Sequence, residues 1–329
     1  MVETILVTQP EFDKAKAVFQ TADGFNCESA PAEEKILAGI IAARRIRVVV
    51  AGPDPYRKDI YESLGKAKGA LIARFGVGHN GIDKALARKY NIIVTNTPGT
   101  LDTSVAEHAI FLMGSLARHV NSLDSQIRTG RFVGQTGIEL QGKTLGIIGF
   151  GNIGKRVAAI AHFGFGMRVI AADSRPLPET KENQTKFLSE HGLALYTSDS
   201  EQVFRQADIV SIHLPSLQST RHFVNKARLE LMKPGAFLIN TARGEIIDEI
   251  ALHDALSSGK LEGAALDVFE TEPYQPIQPG KDLRQMENVL LTPHIGSNTR
   301  EANNRMAVSC LENIRNFIAG RYELLARVD

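Results

Sequence analysis

The chain has 329 residues, more than a single hydrophobic core usually organises, so two domains are expected. Lysine and arginine number 38 against 37 aspartates and glutamates, and no run of five like charges occurs that could follow a nucleic-acid backbone. Two cysteines, Cys27 and Cys310, are too few for a disulfide framework or a metal site. The N-terminus lacks the basic start of an export signal, and no apolar run is long enough to cross a membrane. We therefore expect a cytoplasmic protein with no metal, nucleic-acid partner or membrane contact.

Short β-branched runs alternate with helix-length segments along the chain. A first series comprises residues 5–7, 48–50, 70–72 and 92–94. A second series comprises residues 144–148, 168–170, 209–212, 236–239 and 264–266. This alternation is typical of strand–helix–strand units around a parallel sheet, so the sequence predicts an α/β fold with two doubly wound, Rossmann-like domains.

The two series are separated by a turn signal at residues 97–100, which marks a domain crossing. The spacing of Ser104 and Glu107 predicts a capping box that opens an apolar helix from Val105 to about Arg118. A final amphipathic segment, residues 300–317, has no strand after it and is expected to return to the first domain. The predicted domains are therefore residues 1–101 with 296–329, and residues 102–295.

A glycine-rich turn joins the first strand of the second series to a helix-forming run. Gly149, Gly151 and Gly154 stand in G-x-G-x-x-G order, with Asn152 and Ile153 opening the helix. The first glycine permits a tight turn, the second lets the backbone approach a pyrophosphate, and the third lets the helix pack on the strand. The helix N-terminus then offers unpaired N–H groups to the phosphates. This context predicts a dinucleotide site.

An acidic residue follows at the spacing that a dinucleotide site requires. Asp173 lies 19 residues beyond Gly154, at the end of the next strand, where a carboxylate can bind the adenosine ribose hydroxyls and repel a 2′-phosphate. NAD is therefore favoured over NADP. Arg175, two residues further on, could partly offset this repulsion.

Further motifs occur in a fixed order. They are Arg74-Phe75-Gly76-Val77-Gly78, Thr97-Pro98-Gly99, Ser104-Val105-Ala106-Glu107, Asn240-Thr241-Ala242-Arg243-Gly244, Leu266-Asp267-Val268-Phe269-Glu270-Thr271-Glu272-Pro273 and Thr292-Pro293-His294-Ile295-Gly296-Ser297. With the glycine motif, they make nearly the whole chain resemble the D-isomer-specific 2-hydroxyacid dehydrogenase family, which includes phosphoglycerate and glycerate dehydrogenases and glyoxylate or hydroxypyruvate reductases. The resemblance implies an NAD-dependent oxidoreductase that transfers a hydride between nicotinamide and C2 of a small D-2-hydroxy or 2-oxo acid. It also implies that the first domain binds substrate, that the second binds NAD, and that the active site lies in a cleft between them.

Three residues are the expected catalytic group. Arg243 follows an apolar strand, so its guanidinium is expected at the carboxyl edge of the sheet, where it can hold the substrate carboxylate and polarise the carbonyl. His294 is the candidate acid and base, because imidazole titrates near neutral pH. The resemblance makes Glu272 the carboxylate that orients His294 and favours its protonated form. Glu270 has no role in the family, and we expect it to be a solvated loop acid.

The resemblance implies the remaining site residues. The main-chain N–H groups of Val77 and Gly78 are expected to bind the substrate carboxylate, with Arg74 beside them. The cofactor site is expected to include Ser104, His213, Pro215, Thr241, Ala242, Asp267 and Gly296, with Asp267 at the nicotinamide carboxamide. A structural histidine is an equal alternative for His213, which we assign no chemistry. The family pairs cofactor domains through the segment after the crossover helix, here about Val120 to Leu140, so a homodimer is expected.

Substrate identity stays open among hydroxypyruvate, glyoxylate and similar short acids. D-3-phosphoglycerate is the alternative, although Asp54 occupies the loop where phosphoglycerate-type members place an arginine, and a carboxylate there repels an anion. Arg57 and Arg74 remain as groups that could still bind a phosphate. A more remote alternative is an NAD-sensing interaction protein like the corepressors that share this fold, which usually carry extra partner-binding segments. A formate or phosphite oxidiser is disfavoured by Glu272, because formate dehydrogenases of this fold carry an amide there.

Overall fold

The computed structural model describes residues 2–67 and 69–328. The chain forms two compact units, Met1–Leu101 with Ser297–Asp329, and Asp102–Gly296. This division falls one residue from the predicted boundary. Gly296 belongs to the second unit, where its N–H donates to Asp267 Oδ2 at 2.8 Å.

The first unit is built on a five-stranded parallel sheet of order β2-β1-β3-β4-β5. Its strands are β1 (Glu3–Thr8), β2 (Phe25–Ala30), β3 (Val48–Ala51), β4 (Ala70–Arg74) and β5 (Ile92–Thr95). The connecting helices are α1 (Gln9–Lys14), α2 (Lys16–Gln20), α3 (Glu34–Arg44), α4 (Asp59–Leu64) and α5 (Lys84–Lys89). Every residue of β3 and β4 is buried, which explains why these central strands read as continuous apolar runs.

The second unit is built on a seven-stranded parallel sheet of order β12-β11-β10-β9-β6-β7-β8. Its strands are β6 (Thr144–Ile148), β7 (Arg168–Ala172), β8 (Leu193–Thr197), β9 (Ile209–Ile212), β10 (Ala236–Asn240), β11 (Leu261–Leu266) and β12 (Val289–Leu291). Its helices are α6 (Asp102–Ala117), α7 (Val120–Arg128), α8 (Asn152–Ala159), α9 (Lys181–Glu190), α10 (Ser200–Gln206), α11 (Lys226–Leu231) and α12 (Glu249–Ser257). The prediction of two doubly wound parallel sheets is thus confirmed.

The last helix, α13 (Arg300–Ile318), packs in the first unit as predicted. Its buried side chains, including Met306 and Ile314, share an apolar cluster with Ile5, Val48 and Leu71 of the first sheet. Among the described residues, no helix is both long and apolar enough to span a bilayer.

The predicted capping box at Ser104 and Glu107 is wrong. Helix α6 begins at Asp102, so both residues lie within the helix, three positions apart. A serine and a glutamate at this spacing form a capping box only where the serine precedes the helix. Ser104 is instead buried in the first turn of α6.

Candidate active site

The turn that follows β10 carries Arg243. Asn240, the last residue of the strand, is buried, and its side chain bonds both ends of the turn. Its Oδ1 accepts from Ala242 N at 3.0 Å, and its Nδ2 donates to Arg243 O at 2.9 Å. This clamp fixes Arg243 at the carboxyl edge of the sheet, the edge at which ligands bind in open α/β folds.

His294 and Glu272 are paired at the same edge of the second sheet. His294 Nδ1 lies 2.7 Å from Glu272 Oε2, and Phe269 N donates to Glu272 Oε1 at 3.0 Å. Because Nδ1 is engaged by the carboxylate, Nε2 is the ring nitrogen left to face a substrate oxygen. His294 has φ +54°, a left-handed backbone conformation that is strained for a residue with a side chain.

Asp267 holds the backbone around His294. Its Oδ1 accepts from Thr292 Oγ1 at 2.6 Å and from Ile295 N at 2.8 Å, and its Oδ2 accepts from Gly296 N. Its main-chain carbonyl accepts from His294 N at 2.8 Å. Burial raises the pKa of Asp267. The hydrogen bonds that its carboxylate accepts, including one from His108, together outweigh burial, so the pKa lies below its usual value. The buried carboxylate therefore fixes the strained turn.

The pKa values of Glu272 and Arg243 depend on the charges beside them. Burial raises the pKa of Glu272, but the hydrogen bond and charge of His294 and the charge of Arg243 outweigh burial and hold it below its usual value. Burial lowers the pKa of Arg243, and the carboxylates of Glu272 and Glu245 oppose this. Glu272 is thus ionised near neutral pH beside the imidazole of His294, an arrangement that suits a histidine acting as an acid.

The prediction that Glu270 is a solvated loop acid is wrong. Its side chain is only 9% exposed. Its Oε2 lies 2.9 Å from His222 Nε2, and its Oε1 accepts from Glu249 N at 3.3 Å. The loop folds inward here because the first turn of α12 and the segment around His222 supply its donors.

The glycine turn after β6 has the space and donors that a dinucleotide requires. Gly149 has φ +94°, which permits the tight turn, and a Cβ on Gly151 would meet nothing within 4 Å. A Cβ on Gly154 would lie 2.4 Å from the carbonyl oxygen of Gly149, so only glycine lets α8 pack this closely. No side chain caps α8, which leaves the N–H groups of its first turn, at Asn152 and Ile153, for an anion. These residues fit the pyrophosphate of NAD.

Asp173 lies directly after β7 and is bound by Arg175. Arg175 Nε and Nη2 each lie 2.9 Å from a carboxylate oxygen of Asp173, and Phe150 N donates to Asp173 Oδ2 at 2.7 Å. The Arg175 hydrogen bond is the main cause that lowers the pKa of Asp173 to about 2. Asp173 is therefore a fully ionised acceptor at the position where the adenosine ribose is expected.

The other predicted cofactor residues lie in the second unit. Thr241 is buried, and its Oγ1 has no hydrogen-bond partner among the described residues, so it can still accept or donate to a ligand. His213 follows β9, its Nε2 lies 2.9 Å from Ser211 Oγ, and burial lowers its pKa to about 4. His213 is therefore neutral near pH 7, and the exposed Pro215 lies two residues after it.

The predicted substrate residues Arg74, Val77 and Gly78 lie in the first unit, where β4 ends. Asn96 Nδ2 donates to Val77 O at 2.9 Å, which fixes this loop. Within the described part of the chain, the N–H groups of Val77 and Gly78 have no hydrogen-bond partner, so both can bind an anion. Arg74 is buried, and its Nη1 donates to the neighbouring Phe75 O.

Two supporting roles were missed from the sequence. Asn240 was read only as part of a motif, and Asp267 only as a cofactor ligand, although both organise the turns that carry Arg243 and His294. A polar residue at the end of a buried strand indicates such a role, because its side chain usually accepts hydrogen bonds from the main-chain N–H groups of the loop that follows.

Comparison with known proteins shows the family. Residues 110–296 match the model of the "D-isomer specific 2-hydroxyacid dehydrogenase, NAD binding domain". The chain is 40% identical over 269 residues to a hydroxypyruvate reductase of Thermotoga maritima, covering 81% of this chain and 83% of that protein. It is 39% identical over 276 residues to a glyoxylate reductase of Thermococcus litoralis, covering 81% and 78%.

The chain belongs to the D-isomer-specific 2-hydroxyacid dehydrogenase family. The fold agrees, since the crystal structure of the TT0316 protein from Thermus thermophilus superposes with a TM-score of 0.81 at 31% identity, over 99% of this chain and 100% of that one. As a member of the family, the protein is an NAD-dependent D-2-hydroxyacid dehydrogenase, and its second unit contains the NAD-binding domain.

Proposed function

We propose that this dehydrogenase reduces a short, unphosphorylated 2-oxo acid such as hydroxypyruvate or glyoxylate, with Arg243, Glu272 and His294 as its catalytic residues. The observation that carries the proposal is the 2.7 Å contact of His294 Nδ1 with Glu272 Oε2, at the same sheet edge as Arg243. The relatives named as hydroxypyruvate and glyoxylate reductases support the substrate class.

The three catalytic residues divide binding, polarisation and proton transfer in reduction. The Arg243 guanidinium binds the substrate carboxylate and polarises the carbonyl, and its burial strengthens both interactions. Bound NADH supplies the hydride. His294 Nε2 donates a proton to the carbonyl oxygen, and Glu272 stabilises the imidazolium that donates it. In the oxidative direction, neutral His294 takes the proton from the hydroxyl.

Further groups are proposed to bind rather than react. The N–H groups of Val77 and Gly78 supply main-chain donors for the substrate carboxylate. The turn at Gly149 and Gly151, with the N–H groups of Asn152 and Ile153, holds the pyrophosphate while Gly154 lets the helix pack closely. Asp173 holds the ribose, and Thr241 uses its unpartnered Oγ1 on the nicotinamide side. Any contact of Asp267 with the carboxamide adds to the bonds that Asp267 already makes within its own loop.

The loop before α4 disfavours a phosphorylated substrate. The Glu34 carboxylate accepts from the N–H groups of Arg57 and Lys58, just before α4, at 3.0 and 2.8 Å, and from Ile60 N at 3.4 Å, so a carboxylate of this chain already occupies these donors. Asp54 adds a further negative charge to the loop. These charges favour hydroxypyruvate and glyoxylate over D-3-phosphoglycerate.

The proposal is tested by NADH oxidation against a panel of 2-oxo acids. Hydroxypyruvate, glyoxylate and pyruvate are compared with phosphohydroxypyruvate, the oxo form of 3-phosphoglycerate, at equal concentrations. We expect the highest kcat/KM with an unphosphorylated acid of two or three carbons. A preference for phosphohydroxypyruvate would restore the phosphoglycerate alternative, and no turnover with any acid would contradict the proposal.

Cofactor preference should depend on Asp173. Asp173→Ala removes the repulsion of a 2′-phosphate and releases Arg175 to bind it. We expect the ratio of kcat/KM with NADPH to that with NADH to rise by about tenfold, the effect of one charge-assisted hydrogen bond. The double variant Asp173→Ala/Arg175→Ala should lose this gain. An unchanged ratio in Asp173→Ala would remove Asp173 from cofactor selection.

A homodimer is also proposed, formed through the segment around Val120 to Leu140. Helix α7 has no buried residue, and the loop after it exposes Phe132 (91%) and Val133. Val120 and Ile127 add exposed apolar area on α7. Exposed apolar side chains that are concentrated in one segment are typical of an interface, so a second copy of the chain is the proposed cover.

Light scattering tests the dimer. At about 10 µM we expect twice the chain mass of 35.9 kDa. Phe132→Asp should shift the population toward monomer, because it places a charge in the apolar contact. Leu324→Ser, which also removes an exposed apolar side chain but lies in the first unit, should leave the dimer unchanged. A wild type that scatters as one chain would contradict the proposal.

The cytoplasm is the proposed location. Cys27 and Cys310 are both unpaired thiols, and burial raises the pKa of each. Reduced cysteines without a disulfide are typical of a reducing compartment.

A further inference from the structure

A pair of carboxylates, Glu249 and Glu270, lies beside Glu272, the proposed partner of His294. The main-chain N–H of each residue donates to the side-chain carboxylate of the other. Glu270 N donates to Glu249 Oε1 at 2.7 Å, and Glu249 N donates to Glu270 Oε1 at 3.3 Å. Because Glu249 is the first residue of α12, the pair ties the N-terminus of that helix to the loop that carries Glu272.

This loop is held from several sides. Phe269 N donates to Glu272 Oε1, so residue Phe269 ties the Glu272 carboxylate to the adjoining Phe269–Glu270 peptide. A Cβ on Gly244 would lie 1.8 Å from the carbonyl carbon of Phe269, so the turn after Arg243 rests directly on that peptide. The other carboxylate oxygen of Glu270, Oε2, lies 2.9 Å from His222 Nε2 and 3.7 Å from Arg221 Nη2.

Glu249 is an unusual group in this setting. It is only 5% exposed, and its Oε2 has no hydrogen-bond partner among the described residues. Burial, followed by the charges of Glu270 and Glu272, raises its pKa to about 7, and Glu270 N and His222 oppose the shift. Glu249 can therefore accept the Glu270 N–H without placing a full negative charge beside Glu272.

We propose that Glu249 and Glu270 are positioning residues for the reaction, and that their reciprocal hydrogen bonds, each from a main-chain N–H to a carboxylate, aim Glu272 at His294. The inference rests on the proposed acid–base role of His294 and Glu272 and extends it to the loop behind them. It makes the first residue of α12 a support for Glu272, although neither carboxylate of the pair is placed at the substrate.

Glu249→Leu tests the inference, because leucine fills a similar volume without an acceptor for Glu270 N–H. We expect kcat for reduction to fall about ten- to a hundredfold, as for a misplaced catalytic group, with KM for the oxo acid within about twofold. We also expect a change in the pH–rate profile for reduction. Its alkaline limb, where the rate falls as His294 loses its proton, should move to lower pH, because a displaced Glu272 stabilises the imidazolium less. Glu249→Gln should keep kcat within about threefold of the wild-type value, because its amide oxygen can still accept from Glu270 N–H.

Controls separate positioning from stability. Glu182→Gln, an exposed first-turn acid of α9 in the same unit, should leave kcat and the limb unchanged. Thermal unfolding of each variant shows whether the protein is folded at assay temperature. A Glu249→Leu protein that loses stability but keeps the wild-type limb would overturn the inference, whatever its kcat. So would a Glu249→Gln variant as impaired as Glu249→Leu.

A second variant covers failure to fold. Glu270→Ser removes the other acceptor from a loop position, so it should produce the same fall in kcat and the same limb movement. If Glu272→Gln moves the limb while Glu249→Leu and Glu270→Ser do not, the positioning inference alone fails. If Glu272→Gln also leaves the limb in place, the acid–base pair of the proposed function is wrong.

Discussion

His294→Ala should lower kcat/KM for oxo-acid reduction by about a hundred- to ten-thousandfold, the usual contribution of a positioned general acid. The imidazole is the group whose Nδ1 is bound by Glu272 and whose Nε2 is left for the substrate oxygen. The residual rate should no longer vary with pH between about 6 and 9, because the titrating acid is gone. The measurement is NADH oxidation with the best acid of the panel.

The control for this variant is His253→Ala. His253 lies on α12 in the same unit, and its polar partners among the described residues are Ser257 and Asp254, so its loss should leave the rate within about twofold. NAD binding should survive His294→Ala, because the glycine turn and Asp173 hold the nucleotide. Near-normal activity in His294→Ala would end this account of proton transfer.

Arg243→Ala should lower kcat and raise KM together. One guanidinium serves both the carboxylate and the carbonyl, and a charge-assisted hydrogen bond contributes about 1.5 to 3 kcal/mol. The loss of two such bonds predicts a fall in kcat/KM of about a hundredfold or more. The kcat/KM of Arg243→Lys should lie between those of the wild type and Arg243→Ala, because lysine keeps the charge but loses the planar fork.

Initial rates over a range of oxo-acid concentrations separate the two effects of Arg243. An unchanged KM in Arg243→Ala would show that other groups, such as the Val77 and Gly78 N–H donors, hold the carboxylate alone. An unchanged kcat would show that the guanidinium does not polarise the carbonyl. Either result would contradict the dual role.

The central strands could be predicted from the sequence, whereas of the edge strands only β5, which reads Ile-Ile-Val-Thr, was predicted. Strands β2, β8 and β12, none of which was predicted, all lie at sheet edges. β2 reads Phe-Asn-Cys-Glu-Ser-Ala and is mostly half-buried or exposed, so it carries no continuous apolar run. Central strands such as β3 are buried on both faces, and their composition reveals them. Edge strands are defined by their pairing, which composition does not encode.

The candidate catalytic residues could be named from motifs, but their supports could not. Glu270 was misread because its partners, Glu249 and His222, lie 21 and 48 residues away in sequence. A capping box was read at Ser104 because its spacing also occurs inside helices. The ion pair of Asp173 with Arg175 was also missed, since the sequence analysis considered Arg175 only as a charge that offsets repulsion of a 2′-phosphate.

The pH–rate profile of Glu272→Gln is the most direct test of the Glu272–His294 pair. The substitution removes the carboxylate 2.7 Å from His294 Nδ1 and keeps the side-chain size. Reduction needs imidazolium, so its alkaline limb should move to lower pH by about one unit, which corresponds to about 1.4 kcal/mol of lost stabilisation. Oxidation needs neutral imidazole, so its acid limb should move in the same direction. Movement of both limbs by similar amounts is the predicted result, and two limbs that stay at their wild-type positions would contradict the account.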